Sequence, residues 1–156
     1  MKIHIVGAPG SGKTTLARQL AANLQCPHIE LDALYWGPQW TPVATESFQR
    51  TVAQRVQEST WVMDGSYDSV RPLIWHYADM VIWLDYPQWF RFKRLLWRNI
   101  NHALRKTNLW GSGNCETLLW LLGPNSIILR SLKKHRTLRR RYPALMTAAE
   151  YAHIDF

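Results

Sequence analysis

Residues 7–15 read Gly7-Ala8-Pro9-Gly10-Ser11-Gly12-Lys13-Thr14-Thr15 and match the pattern G-x-x-x-x-G-K-[ST] without exception. Each position has a chemical reason. Glycines let backbone N–H groups turn inward around phosphate oxygens, and a helix beginning at the end of the loop points its positive end at the same oxygens. The Lys13 ammonium suits β- and γ-phosphates, and the Thr14 hydroxyl suits a magnesium ion. The spacing therefore predicts a site for a nucleoside triphosphate, ATP with Mg²⁺. No Asn-Lys-x-Asp occurs, which argues against a GTP-specific protein, and neither Asp64 nor Asp85 is followed by a glutamate that could polarise water for an ATPase motor.

Three carboxylates could serve such a site. Asp64, just before Gly65, could hold a water on Mg²⁺, although an aspartate before glycine also suits a turn. Asp32 could orient or deprotonate an acceptor hydroxyl, or cap the helix that follows it. Asp85 stands in an Asp-x-Pro setting that better suits the end of a strand. Arg94 and Arg98 are four apart and so share one helix face, a good arrangement for spreading cations around a moving phosphoryl group. Lys133, Arg136 and Arg140 form a second basic stripe, widened by Arg139 and Arg141. Trp36 and Trp40 flank Gly37-Pro38 in the segment that would cover an acceptor, where apolar packing is the favoured reading over stacking.

Elements that alternate in type must hold these residues. Lys2–Val6 is a β-branched run leading into the glycine loop, and Leu16, Ala17, Leu20, Ala21 and Leu24 then recur at helical spacing. Further strands are expected at His28–Leu31, at Trp61-Val62-Met63 delivering Asp64, and at Met80–Leu84 delivering Asp85. Helices are expected over Glu46–Glu58, from Gln88 to about Lys106, over Cys115–Leu122 and over Asn125–Arg141. Asn108–Asn114 reads as a loop, and Tyr151–Phe156 as a final strand. The fold class expected is α/β, three layers around a parallel sheet of about five strands.

With 156 residues, the chain fits a single domain spanning 1–156. Its two cysteines and six histidines show no metal-site spacing, and no apolar stretch suits a membrane span or a secretory leader, so a cytoplasmic protein without a membrane partner is expected. Residues 1–85 carry 6 basic and 8 acidic side chains, whereas residues 86–156 carry 13 basic and 3 acidic. That basic half should face something anionic. A nucleic acid would fit it, with Trp89, Trp97 and Trp110 interleaved, but no nucleic-acid motif is present and a small phosphorylated ligand explains the charge equally well.

The loop, Asp32, Asp64-Gly65, Asp85-Tyr86-Pro87 and the pair Arg94 and Arg98 together resemble the adenylate-kinase-like P-loop kinases. Within that group the stretch from Trp61 to Tyr67, Arg71, Ala78-Asp79 and Gly113-Asn114-x-Glu116 are most similar to the branch labelled DNA topology modulation protein. The resemblance implies an arginine-rich helical lid over about residues 98–135, transfer of a phosphoryl group from ATP–Mg²⁺ to a nucleotide or a small hydroxylated molecule, and an acceptor region containing Asp32, Trp36 and Arg71. A regulator that binds nucleic acid and is switched by ATP is the alternative it implies. Where adenylate kinases have Asp-Gly-Phe-Pro-Arg, this chain has Asp64-Gly65-Ser66-Tyr67-Asp68, and the arginine is displaced to Arg71, which argues against AMP as acceptor.

Overall fold

Side-chain alternation along the strands sorts the core into two layers. In β1 (Lys2–Gly7) and β3 (Trp61–Asp64), Ile3, Ile5 and Val62 face one side, against Ala17 and Ala21 of α1 (Lys13–Leu24). Val6, Trp61 and Met63 face the other, against Phe48 and Val52 of α3 (Thr45–Arg55) and Ile74 and Trp75 of α4 (Arg71–Tyr77). Covering both faces is the usual condition of a parallel sheet and explains why these strands are buried along almost their whole length. Each large side chain so buried stabilises the fold by about 1.5–3 kcal/mol.

The computed structural model of the chain describes residues 1–105, 108–109, 114–115 and 127–156. With β2 (His28–Glu30) and β4 (Met80–Leu84), the sheet is parallel in the order β2-β3-β1-β4. The strand that feeds the glycine loop thus lies between the strands ending at Asp64 and Leu84. Ligands bind at the carboxyl ends of such strands.

The α/β layering is as expected, with four strands in the sheet rather than about five. Tyr151–Phe156 is not a strand. It forms a 3₁₀ turn at Ala149–Tyr151 and a single bridge from Asp155 to Met80. The reason is spacing: Tyr151 and Ile154, three apart, are the buried residues, so the segment turns inward where a strand would alternate. Asp32 lies inside a short helix, α2 (Leu31–Tyr35), rather than at a strand end. α4 has no counterpart in the sequence reading; Pro72 stands in its first turn, where a missing N–H costs nothing.

α5 (Gln88–Arg105) follows β4. β5 (Asn108–Leu109) and β6 (Asn114–Cys115) then pair antiparallel at the two ends of the expected loop, so Cys115 belongs to a strand and not to a helix. The rest of the expected helix over 115–122 lies outside the described residues, as does most of the expected lid. α6 (Ile127–Met146) extends beyond Arg141 because Leu138, Tyr142 and Leu145 continue its apolar face into the core. None of the described helices is long and apolar enough to cross a membrane.

Candidate functional site

The loop between β1 and α1 takes its shape from two glycines that other residues could not replace. Gly10 has φ +82°, and a Cβ there would lie 2.6 Å from Leu95 Cγ and 2.8 Å from the Arg91 carbonyl. Gly12 has φ +92°, and a Cβ would lie 3.0 Å from Arg94 Nη2. These are left-handed conformations that glycine tolerates. The close approaches show that α5 packs directly onto the loop and sets the Arg94 guanidinium over Gly12. The loop is also held from α6, since Ser131 Oγ donates to the Pro9 carbonyl at 3.1 Å and the buried Arg91 guanidinium donates to Ser131 Oγ at 3.0 Å.

Lys13 opens α1 and reaches back over the loop, with Nζ 3.5 Å from the Ala8 carbonyl. Burial pushes its pKa down; Asp32 and Asp64 oppose that shift, while Arg98 and Lys134 add to it. The charges of Asp32, Asp64, Arg98 and Lys134, from four other parts of the chain, are thus felt at the Lys13 ammonium. The buried hydroxyl of Ser11 lacks a hydrogen-bond partner among the described residues, as befits a loop built to take up an anion. Ala8 is buried and Thr15 is exposed on the outer face of α1.

Thr14 and Asp64 come together. Thr14 Oγ1 donates to Asp64 Oδ2 at 2.8 Å, and Asp64 is almost fully buried. Its other oxygen accepts a 2.7 Å bond from His28 Nε2. Among the described residues no group of three His, Cys, Asp or Glu side chains could hold a metal. Magnesium beside phosphates usually takes only one or two protein oxygens, completing its shell with water and phosphate, so the Thr14–Asp64 pair fits it. His28, at the start of β2, was not a site residue in the sequence reading. Only the pairing of β2 with β3 brings it beside Asp64.

Asp32 does not cap α2: the cap position is Glu30, without a side-chain bond. Asp32 Oδ1 instead accepts a 2.5 Å bond from the Tyr67 hydroxyl. Burial, with the charge and hydrogen bond of Asp32, pushes the Tyr67 pKa far up, so this phenol stays protonated. The Tyr67 ring packs on Tyr35 and Phe48, and Trp36 meets Tyr35 and Trp40 edge to face. Trp36 and Trp40 are thus packed on aromatic neighbours beside Asp32. Arg71, at the start of α4, lies over the Trp75 ring and donates to Asp68 at 2.9 Å.

The other charges sort themselves by partner. Asp85 is gripped by Arg139 Nε at 3.0 and 2.8 Å, with His135 Nδ1 3.5 Å distant. Arg139 is thereby committed to Asp85, and Arg136 and Arg140 are exposed. The α6 cation whose charge is felt at Lys13 is the half-buried Lys134, which the sequence did not single out.

A parallel sheet with this loop, this lysine and a buried aspartate one strand away is the fold of the adenylate-kinase-like P-loop kinases. The chain belongs to the AAA domain family, whose model matches residues 3–100. It is 30% identical over 95 residues to "Uncharacterized protein YqaC" of Bacillus subtilis (strain 168), covering 60% of this chain and 53% of that protein. It is 31% identical over 109 residues to a cytidylate kinase of Halobacterium salinarum, covering 61% of this chain and 57% of that enzyme. The chain thus spans little more than half the length of the curated relatives it matches. Among solved structures it is similar to a shikimate kinase from Acinetobacter baumannii in complex with shikimate (TM-score 0.57, 20% identity, 99% of this chain and 82% of that one). It is also similar to a gluconokinase from Sinorhizobium meliloti 1021 (TM-score 0.55, 18% identity, 90% and 77%). At those identities the likeness shows the fold.

Proposed function

We propose that this protein transfers the γ-phosphoryl group of ATP–Mg²⁺ to the hydroxyl or phosphate of a small molecule or nucleotide. The observation that carries the reading is the complete glycine loop, with Lys13 at its end and the Thr14 hydroxyl bonded to the buried Asp64 carboxylate at 2.8 Å. The kinase names of the relatives support the same class.

In this reading residues 7–15 hold the triphosphate. Lys13 draws charge from the β- and γ-phosphates, while Arg94 and Arg98 spread further positive charge over the group in flight. Thr14 and Asp64 would hold magnesium, which when bound neutralises phosphate charge. Asp32, fixed by the Tyr67 hydroxyl, accepts or orients the proton of the acceptor hydroxyl. Trp36 and Arg71 line the acceptor side. Lys13→Ala should abolish transfer while circular dichroism stays that of the folded protein; activity within about tenfold of wild type, only ~1.4 kcal/mol of transition-state stabilisation, would sink the assignment.

A further inference from the structure

The first turn of the glycine loop has two ways to stand, and residues far away in the chain choose between them. Ser11 N–H donates to the Ala8 carbonyl at 3.2 Å, closing a β-turn with Pro9 and Gly10 at its centre. Gly10 at φ +82° makes that turn type II. A type I turn of the same residues differs by a flip of one peptide plane, the one between Pro9 and Gly10, and proline followed by glycine suits both. The turn's own sequence therefore leaves the plane free. What holds it is the Pro9 carbonyl, which accepts from Ser131 Oγ of α6 at 3.1 Å and from Arg91 Nη1 of α5 at 3.5 Å. Arg91 also donates to Ser131 Oγ at 3.0 Å, and because a guanidinium can only donate, the single hydroxyl proton of Ser131 is left for Pro9. Arg91 is itself anchored, with Nε donating to the Tyr86 carbonyl at 3.2 Å, and both gripping residues are buried.

We propose that Arg91 and Ser131 are positioning residues for the bound phosphates: by gripping the Pro9 carbonyl they keep the Pro9–Gly10 peptide in its type II orientation and so aim the Gly10 N–H at the anion. In a trans peptide the C=O and N–H point opposite ways, so a carbonyl drawn toward α5 and α6 turns its N–H away from those helices. With the plane flipped, the loop would present a carbonyl oxygen where an oxyanion needs a donor, and attraction would become repulsion. The inference rests on the nucleotide site of the kinase reading and deepens it. It adds to that site two residues outside the loop motif, 82 and 122 positions from Pro9.

The test reads that one peptide directly. Pro9-Gly10 is the only Pro-Gly pair in the chain, so protein labelled with ¹³C at proline carbonyls and ¹⁵N at glycines gives a single NMR correlation from it. Wild type, Ser131→Ala, Arg91→Met and Arg91→Lys are compared free and with a non-hydrolysable ATP analogue and Mg²⁺, whose affinity is measured by calorimetry. Ser131→Ala should move the Pro9 carbonyl signal upfield, as loss of a hydrogen bond does, and weaken the analogue about fivefold. Arg91→Met should weaken it about tenfold, because Ser131 then loses its orientation as well, and Arg91→Lys, which keeps a donor, should fall between Arg91→Met and wild type. Circular dichroism checks folding, and Ser131→Ala, which deletes one oxygen, carries the test even if the buried Arg91 proves irreplaceable. The proposal is overturned if either the carbonyl signal or the analogue affinity of Ser131→Ala stays at its wild-type value. Failure of the analogue to bind wild type would count against the kinase reading, while the carbonyl signal of the free proteins still tests the grip on Pro9.

Discussion

Lowering the pH from 7 should weaken this protein through one residue in the middle of its sheet. His4 is 1% exposed on β1; its Nε2–H donates to the Gly65 carbonyl at 3.0 Å, and its Nδ1 accepts from the Trp75 indole N–H at 3.0 Å. The ring is therefore neutral, and a second ring proton would point at another donor. Burial is the main cause that lowers its pKa from 6.5 to about 4, against the raising effects of the Gly65 carbonyl and Asp64. The unfolded chain takes up a proton near 6.5 and the folded chain only near 4, so stability is full above that window and falls as pH drops through it. A difference of roughly 2.5 units corresponds to about 3 kcal/mol in total, of which about 2 kcal/mol is gone by pH 5. Urea unfolding at a series of pH values from 7 to 4.5 measures this, with His4→Gln as the comparison. The variant should be less stable at pH 7 but lose less on acidification. Identical pH slopes for the two proteins would refute the reasoning.

Two further outcomes follow from the loop's surroundings. The Arg94 guanidinium lies over Gly12 and Arg98 is near Lys13, so Arg94→Ala and Arg98→Ala should each lower kcat by about 10²–10³ while changing ATP affinity much less. The double variant should lose less than the two singles summed; equal losses in kcat and ATP affinity would make them binding residues only. His28→Asn removes the bond that orients Asp64 and should weaken the Mg²⁺ dependence of ATP-analogue binding by about 10–100-fold, read by calorimetry, while leaving magnesium-free nucleotide binding unchanged.

The glycine loop and the strands around it were legible because local rules govern them. Gly7–Thr14 needs no distant partner to be recognised, and Trp61–Asp64 and Met80–Leu84 are short apolar runs bounded by turn residues. Position in space was not legible where it depends on pairing. His28 meets Asp64 only through the β2–β3 register, and Asp85 meets Arg139 across 54 residues. The basic stripe on α6 shows the same limit. Helical spacing alone pointed to Lys133, Arg136 and Arg140, yet with Leu138 and Tyr142 packed into the core it is the half-buried Lys134 whose charge is felt at Lys13. The aromatic bed of Asp32 is a tertiary assembly of Tyr35, Phe48 and Tyr67 from three segments. The short helices α2 and α4 escaped the periodicity because seven residues or fewer give too few turns to show it.

The most direct measurement follows the γ-phosphoryl group itself. ATP labelled with ¹⁸O at the γ-phosphate is incubated with the protein, Mg²⁺ and a mixture of small hydroxylated carboxylates, sugar phosphates and nucleoside monophosphates, and the products are read by mass spectrometry, with Lys13→Ala as control and duplex DNA added in a parallel sample. The expected result is label on one of these acceptors, absent with Lys13→Ala and indifferent to DNA. Label found only in inorganic phosphate, ATP left intact with every acceptor, or turnover that appears only when DNA is present would contradict the phosphotransferase reading.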